Sequence, residues 1–248
     1  MWDDEFPLNV SRGKVRGARV IHKFGAVASM STNTTGTIWD VDDTLYPWSE
    51  FDTAGTITAA TANASDNGKK VRVEGLDGDY KEVSEEFTLS SSGTVAGSQS
   101  FKRVFRAYLT TNSGTNVGDI TFTKGSTTVL KITAGKGQTL MAIYTVPAGQ
   151  TAFIKQIACS AEAGADATID IVVRDCSTGL TRIQATFEVV GNGGPYINQF
   201  HYPLKVTEKI DIEFRATTRS NNGRYTATFD MILIQEAINV DNNDNPGG

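Results

Sequence analysis

The chain has 248 residues and a net charge of −5 at pH 7, with 39% hydrophobic and 21% charged residues. This apolar content is enough for a buried core and excludes a disordered chain, while the net negative charge argues against a nucleic-acid binder. No apolar run approaches the roughly 20 residues that span a bilayer. Two cysteines and two histidines leave little material for a disulfide framework, a metal site or a catalytic triad. We therefore expect no membrane or nucleic-acid partner, no cofactor and no metal.

The N-terminal segment changes from acidic to basic along its length. Residues 3–5 are acidic, whereas residues 12–19 are cationic and contain two glycines. Such a segment has little reason to pack on its own domain, so we expect residues 1–17 to form an extended arm that becomes ordered on an acidic neighbour. A frayed terminus is the alternative. The candidate docking residues are Phe6, Arg12, Lys14, Arg16 and Arg19.

Alternation of apolar and polar residues predicts strands along most of the chain. Thr, which is β-branched and suits half-exposed strands, occurs 31 times. No segment longer than about 12 residues shows helical periodicity. Strands at intervals of about eight to twelve residues, separated by turns, are typical of a sandwich or a barrel. In chain order, strands are predicted at 70–74, 83–89, 101–110, 120–123, 129–132, 140–146, 153–157, 168–173, 183–190, 196–204, 210–215 and 225–234.

This pattern predicts an all-β protein with two antiparallel β-sandwich or jelly-roll-like domains. The first domain would cover residues 18–136 and the second residues 137–236. Residues 237–248, rich in Asn, Asp and Gly, are expected to form a flexible tail. The glycines at 135 and 137 leave a second possibility, a hairpin turn inside a single domain.

One motif has the letters of a catalytic site. Asp40, Asp42 and Thr44 match the first motif of haloacid-dehalogenase-type phosphatases, in which the first Asp attacks phosphorus and the second is a general acid/base. That motif must end a buried strand of a doubly wound parallel sheet, and the chain lacks the helical crossovers that build one. We interpret residues 40–44 as a polar loop and expect no catalytic residue. A structural cation on Asp40, Asp42 and Asp43 remains an alternative.

The cysteines and histidines fit structural positions. Cys159 and Cys176 fall on strands that look like neighbours, and we interpret them as small buried residues. His22 is interpreted as a partly buried strand residue. His201 has no second ligand at metal spacing.

Two sets of polar residues indicate surface positions rather than a catalytic site. Lys102, Arg103 and Arg106 lie on one predicted strand and indicate a solvated or inter-subunit face, because one strand cannot track phosphates. A hairpin tip is typical of ordinary loops and also of sugar-binding loops, which leaves a glycan-binding module open. The tip residues are Thr217, Thr218, Arg219, Asn221 and Asn222.

The order of several segments resembles a family of virion structural proteins of tailed phages, mainly of marine bacteria. The similarity extends over about residues 3–235. The segments that carry it are residues 3–6, 11–13, 21–25, 73–77 with Tyr80, 103–108, 137–149 and 211–216.

The resemblance implies a non-enzymatic structural component located in the virion. We expect a tail or collar protein that mounts or forms fibres, with capsid decoration or a glycan- or receptor-binding adhesin as alternatives. The expected partners are further copies of the chain, as a trimer or larger, and neighbouring virion proteins, with host-surface glycan as a further possibility. Sandwiches with terminal arms suit symmetric assembly.

Overall fold

The computed structural model describes residues 5–111, 114–219 and 222–236. The expected all-β fold is confirmed, because the described residues form one short α-helix and sixteen strands, and every strand pair is antiparallel. The first half contains α1 (Glu5–Ser11), β1 (Ala18–Met30), β2 (Thr35–Thr37), β3 (Thr58–Thr61), β4 (Lys70–Leu76), β5 (Glu82–Thr88), β6 (Val95–Ala96), β7 (Arg103–Leu109), β8 (Ile120–Lys124) and β9 (Thr127–Ile132). The second half contains β10 (Ile143–Thr145), β11 (Gln150–Ala161), β12 (Ala167–Asp175), β13 (Thr181–Val189), β14 (Tyr196–Val206), β15 (Ile210–Thr218) and β16 (Gly223–Gln235).

The N-terminal arm is not extended where it is described. Residues 5–11 form α1, which contacts β1 and buries Val10. Pro7 is tolerated because it lies in the first helical turn, where its missing N–H has no intrahelical partner. The prediction of an extended arm is therefore wrong for residues 5–11, since one buried apolar side chain and local hydrogen bonds suffice for two helical turns. Residues 1–4 and the predicted tail at 237–248 lie outside the described residues.

Nine strands form two facing sheets. One sheet has the order β1-β16-β11-β14, and the other has the order β10-β15-β12-β13, with β2 also paired to β15. Phe214 of β15 and Phe229 of β16 stack with ring centroids 4.9 Å apart, so the two sheets share one core. β14 is an edge strand of the first of these sheets, and β13 is an edge strand of the second.

The strands between β2 and β10 form two smaller sheets. Their orders are β6-β3-β8-β9 and β5-β4-β7. Phe87 of β5 and Phe122 of β8 meet edge to face, with centroids 5.4 Å apart, and join these sheets.

Strands from both sides of the predicted domain boundary, between residues 136 and 137, pair with each other. β1 pairs with β16 over most of its length, and β2 pairs with β15. Residues 18–37 therefore share sheets with the C-terminal strands, although we expected them in the first domain. The sequence could not indicate this, because alternation identifies a strand and not its distant partner.

Candidate functional site

The proposed docking residues separate into two groups. The exposed side chains of Arg12, Lys14 and Arg16, which we call the basic turn, form no ion pair with any other described residue. Arg19 instead pairs with Glu82 of β5, and Phe6 is half-buried in α1. The basic turn is thus available to an external partner, whereas Arg19 already has an internal one.

Exposed apolar side chains concentrate on β13, β14 and the turns beside them. Of the nine large hydrophobic residues exposed in the described part of the chain, five lie between residues 180 and 202. Phe187 of β13 and Tyr196 of β14 have ring centroids 5.0 Å apart, so the two edge strands lie side by side. We call this surface the assembly edge; its exposed residues are Leu180, Ile183, Val190, Ile197 and Tyr202.

The backbone of the assembly edge is interrupted on both strands. β13 bulges opposite the Ile171–Val172 step of β12, and β14 contains Pro203, which has no N–H to donate. Bulges and edge prolines oppose the addition of another strand. We therefore expect any contact here to be made by side chains rather than by a continuous sheet.

The motif at residues 40–44 does not gather its carboxylates. Asp40 is buried and accepts hydrogen bonds from Thr133, Asp42 accepts from the backbone and side chain of Thr44, and Asp43 accepts from the Ser31 amide. Among the described residues no group of three or more His, Cys, Asp or Glu side chains has the arrangement of a metal site. The parallel sheet that the phosphatase motif requires is also absent from the described strands, which pair only antiparallel.

Burial makes Asp40 sensitive to pH. Burial raises the pKa of this carboxyl from 3.8 to about 6, and the Thr133 hydrogen bonds only partly oppose the rise. The folded state therefore holds the proton more tightly than the unfolded chain, and this group's contribution to stability is lost as the pH rises through about 6.

Replacing Asp40 with asparagine removes this titration. We expect Asp40→Asn to stabilise the protein by about 1–3 kcal/mol at pH 7.5 relative to its effect at pH 4, because two pKa units correspond to about 2.7 kcal/mol. Urea unfolding of both proteins at the two pH values measures the difference. An equal effect of the substitution at both pH values would show that Asp40 is not perturbed.

The other predicted residues occupy ordinary structural positions, with one exception. Both cysteines are free. Cys159 of β11 is buried as predicted, whereas Cys176 is only partly buried and follows the end of β12, which belongs to the other sheet and does not pair with β11. His22 is exposed rather than partly buried as predicted, and its Nδ1 atom pairs with Asp230; the His201 ring contacts Tyr202. Arg103 contradicts the predicted polar face, since it is 1% exposed and bound to Asp211 of β15.

The predicted glycan tip is partly occupied by internal hydrogen bonds. Asn222 Oδ1 accepts from the Thr32 amide and hydroxyl at 2.8 and 2.9 Å. Thr218 Oγ1 donates to the Ser31 carbonyl, and Arg219 pairs with Glu188. Asn221 lies outside the described residues.

A cleft that the sequence did not indicate opens between β1 and the sheet β5-β4-β7. Its volume is about 610 Å³, within the usual range for small-molecule sites. We call it the lysine cleft; its polar lining includes Arg19, Lys23, Glu74, Glu82, Arg106 and Tyr144.

Lys23 is 7% exposed, and its Nζ donates to the Phe105 carbonyl. It forms no ion pair with a described carboxylate. Burial, together with repulsion from Arg106, lowers the pKa of this amine to about 7, and attraction to Glu74 only partly opposes the change.

Tyr144 is the second unusual group in the lysine cleft. Its side chain is 2% exposed, and its hydroxyl lies beside the Arg19 guanidinium without forming a hydrogen bond of good geometry in the described part of the chain. Burial raises the pKa of this phenol, while the nearby Arg19 guanidinium lowers it. The Tyr144 ring packs on Phe105, with centroids 4.7 Å apart, and Lys23 Nζ lies 5.7 Å from the Phe105 centroid. Both polar groups therefore flank one aromatic ring.

Comparison with known proteins gives no family. No protein-family model matches the chain, and no curated protein sequence does. The crystal structure of the Yersinia pseudotuberculosis-derived mitogen is 13% identical, covers 42% of this chain and 91% of its own, and has a TM-score of 0.21. The structure of the infectious bursal disease virus Gt strain is 8% identical. The match covers 97% of this chain and 74% of the viral chain, with a TM-score of 0.30. The crystal structure of the infectious bursal disease virus VP2 subviral particle is 8% identical. That match covers 92% of this chain and 74% of the viral chain, with a TM-score of 0.24. Likenesses this weak carry no argument about function.

Among the described residues, no helix has the length and apolar character that would let it cross a membrane.

Proposed function

We propose that the chain is a non-enzymatic structural subunit of a tailed phage particle, built into the tail or collar, where it mounts or forms fibres. The assembly edge is the observation that carries this proposal. Five exposed apolar side chains on the edge strands β13 and β14 and immediately beside β13 are a surface that a neighbouring subunit would cover. The resemblance of the sequence to phage virion proteins supports the same conclusion.

The order of the strands supports a subunit built for assembly. When β2 and β10 are counted together as the second strand, the sheets have the orders 1-8-3-6 and 2-7-4-5. We infer from this order that the eight strands form a jelly roll, an architecture found in viral capsid and lectin domains. The residues between β2 and β10 would then be a second domain inserted into the jelly roll.

The basic turn supports a second contact. Arg12, Lys14 and Arg16 are exposed and unpaired within the described residues, although the chain as a whole is acidic. A cationic segment on an acidic subunit suits an acidic patch of a neighbour. In this proposal the assembly edge contacts further copies of the chain, and the basic turn contacts a different virion protein.

Lysines placed on the assembly edge should separate the subunits. We expect the purified protein to form an oligomer in solution and the double variant Ile183→Lys, Ile197→Lys to be a monomer, because an edge lysine would have to be buried without a partner. Sedimentation velocity measures the oligomeric state. The variant should keep the circular dichroism spectrum of the wild type, since both side chains are exposed in the single chain.

Leu45→Lys is the matched control, because Leu45 is exposed but lies far along the chain from the assembly edge. This control should remain an oligomer. A wild-type protein that sediments as a monomer at tens of micromolar, or a double variant that keeps the oligomeric state, would contradict the role of the assembly edge.

A further inference from the structure

The lysine cleft holds two buried polar groups that weaken the fold. A buried amine without a carboxylate partner and a buried hydroxyl whose only polar neighbour is poorly aligned both cost free energy on folding. Lys23 and Tyr144 come from different strands, β1 and β10, yet both line the same cleft. Groups that destabilise a fold and meet in one cleft are typical of a binding site.

The charges of the lysine cleft favour a ligand with one negative charge. Glu82 pairs with Arg19, and Glu74 lies 3.7 Å from Arg106, so each carboxylate has its own cation. Lys23 has no carboxylate partner among the described residues, and an anion bound beside its amine would hold it in the protonated form. A single carboxylate on a ligand would complete the charge balance. The Lys23 amine has donors to spare, because one of its three is used by the Phe105 carbonyl.

The rim of the cleft favours hydroxyl groups on the same ligand. Glu74, Glu82 and Gln138 line the cleft, and their side chains carry acceptor oxygens. Carboxylates repel a highly charged anion such as phosphate, but they accept hydrogen bonds from hydroxyls, and each has lone pairs beyond those used by its arginine. A volume of about 610 Å³ accommodates a sugar ring with its substituents.

We propose that the lysine cleft binds an acidic sugar, a hexuronate, with its carboxylate held by the Lys23 amine and the Tyr144 hydroxyl. The hydroxyls of the sugar donate to the acceptors at the rim. None of the residues that line this site belongs to the assembly edge or to the predicted hairpin tip, and the proposal does not depend on the place of the chain in a particle.

Titration calorimetry of the full chain with D-glucuronate tests the proposal. We expect saturable binding of one D-glucuronate per chain and no binding of D-glucose, which lacks the carboxylate. Tyr144→Phe should weaken binding about tenfold, since one charge-assisted hydrogen bond is lost. The same substitution should leave thermal stability equal to or above that of the wild type, because the buried hydroxyl forms no well-aligned hydrogen bond.

Tyr225→Phe is the matched control. Tyr225 is also buried, but its hydroxyl bonds to the Asp166 carbonyl at 3.3 Å, away from the cleft. This control should lower stability and leave binding unchanged. Lys23→Met should abolish binding while the protein stays folded by circular dichroism.

Three results would overturn the proposal. The first is no saturable binding of D-glucuronate, and the second is equal affinity of the Tyr144→Phe variant and the wild type. The third is binding of acetate or inorganic phosphate as tight as that of D-glucuronate, which would show a simple anion site.

Discussion

Asp211→Asn is expected to destabilise the protein by about 3–5 kcal/mol, because it leaves buried guanidinium groups without their carboxylate. Asp211 is fully buried, and its two oxygens accept from Arg103 Nε at 2.8 Å and Nη2 at 3.1 Å. Arg174 and Thr145 donate to the same carboxylate. Asparagine keeps the size of the side chain, so the loss reports the charge and its hydrogen bonds rather than a cavity.

This ion pair joins the two parts of the molecule. Arg103 begins β7 in the three-stranded sheet, whereas Asp211 lies in β15 of the larger sheets. Arg103 also donates to the Phe51 carbonyl, so one side chain links three segments. We therefore expect both parts to unfold in a single transition in the wild type.

Asp52→Asn is the control for this prediction. Asp52 also contacts Arg174, at 3.5 Å, but its side chain is 65% exposed. An exposed pair contributes less than about 1 kcal/mol. Urea unfolding at pH 7 compares the two variants. If Asp211→Asn were no more destabilising than Asp52→Asn, the buried ion pair would not hold the two parts together.

Asp66→Ala is expected to cost about 3 kcal/mol. The Asp66 side chain is fully buried, and it accepts from Lys69 Nζ at 2.8 Å, the Val117 amide at 2.8 Å and the Gly118 amide at 2.8 Å. Alanine leaves all three donors without this acceptor, and each unsatisfied buried donor costs about 1–3 kcal/mol. Thermal and urea unfolding measure the loss.

The pH dependence gives a second measurement on Asp66. The lysine and the two amides hold the pKa of this carboxyl below its usual value despite burial. Its stabilising contribution is therefore present above the unfolded pKa and is lost as the pH falls through the folded pKa. The exposed Asp79, whose nearest cation is Lys81 at 3.9 Å, is the control and should tolerate alanine within about 0.5 kcal/mol. Similar losses at Asp66 and Asp79 would contradict the role of Asp66.

Local patterns predicted most of the strands after residue 70, but they did not predict β1, β2, β3 or β6. Alternation at residues 70–74 and 168–173 identified β4 and β12. Successive side chains of a strand point to opposite faces, so a strand with one buried face has an apolar residue at every second position. The hairpin between β4 and β5 was also predicted, although the left-handed backbone falls on Tyr80, with φ 62°, and not on the glycine at 78.

Long-range features could not be predicted from the sequence. The pairing of β1 with β16 joins residues about 200 positions apart, and no local pattern specifies it. Arg103 was expected on a solvated face because its neighbours are basic, but its partner Asp211 comes from a distant strand. The lysine cleft was missed for the same reason, since Lys23 and Tyr144 meet only in the fold. In the sequence, a lone lysine within an apolar strand was the only signal of this site.

Analysis of purified particles of the phage that we propose encodes this chain tests the structural role most directly. Peptide mass spectrometry of the particles, combined with gold-labelled antibody electron microscopy, measures both presence and position. We predict peptides of this chain in intact particles and label at the tail or neck. Label spread over the head would contradict the tail or collar position and identify a decoration protein. Particles that contain neither its peptides nor its label would contradict the structural role itself.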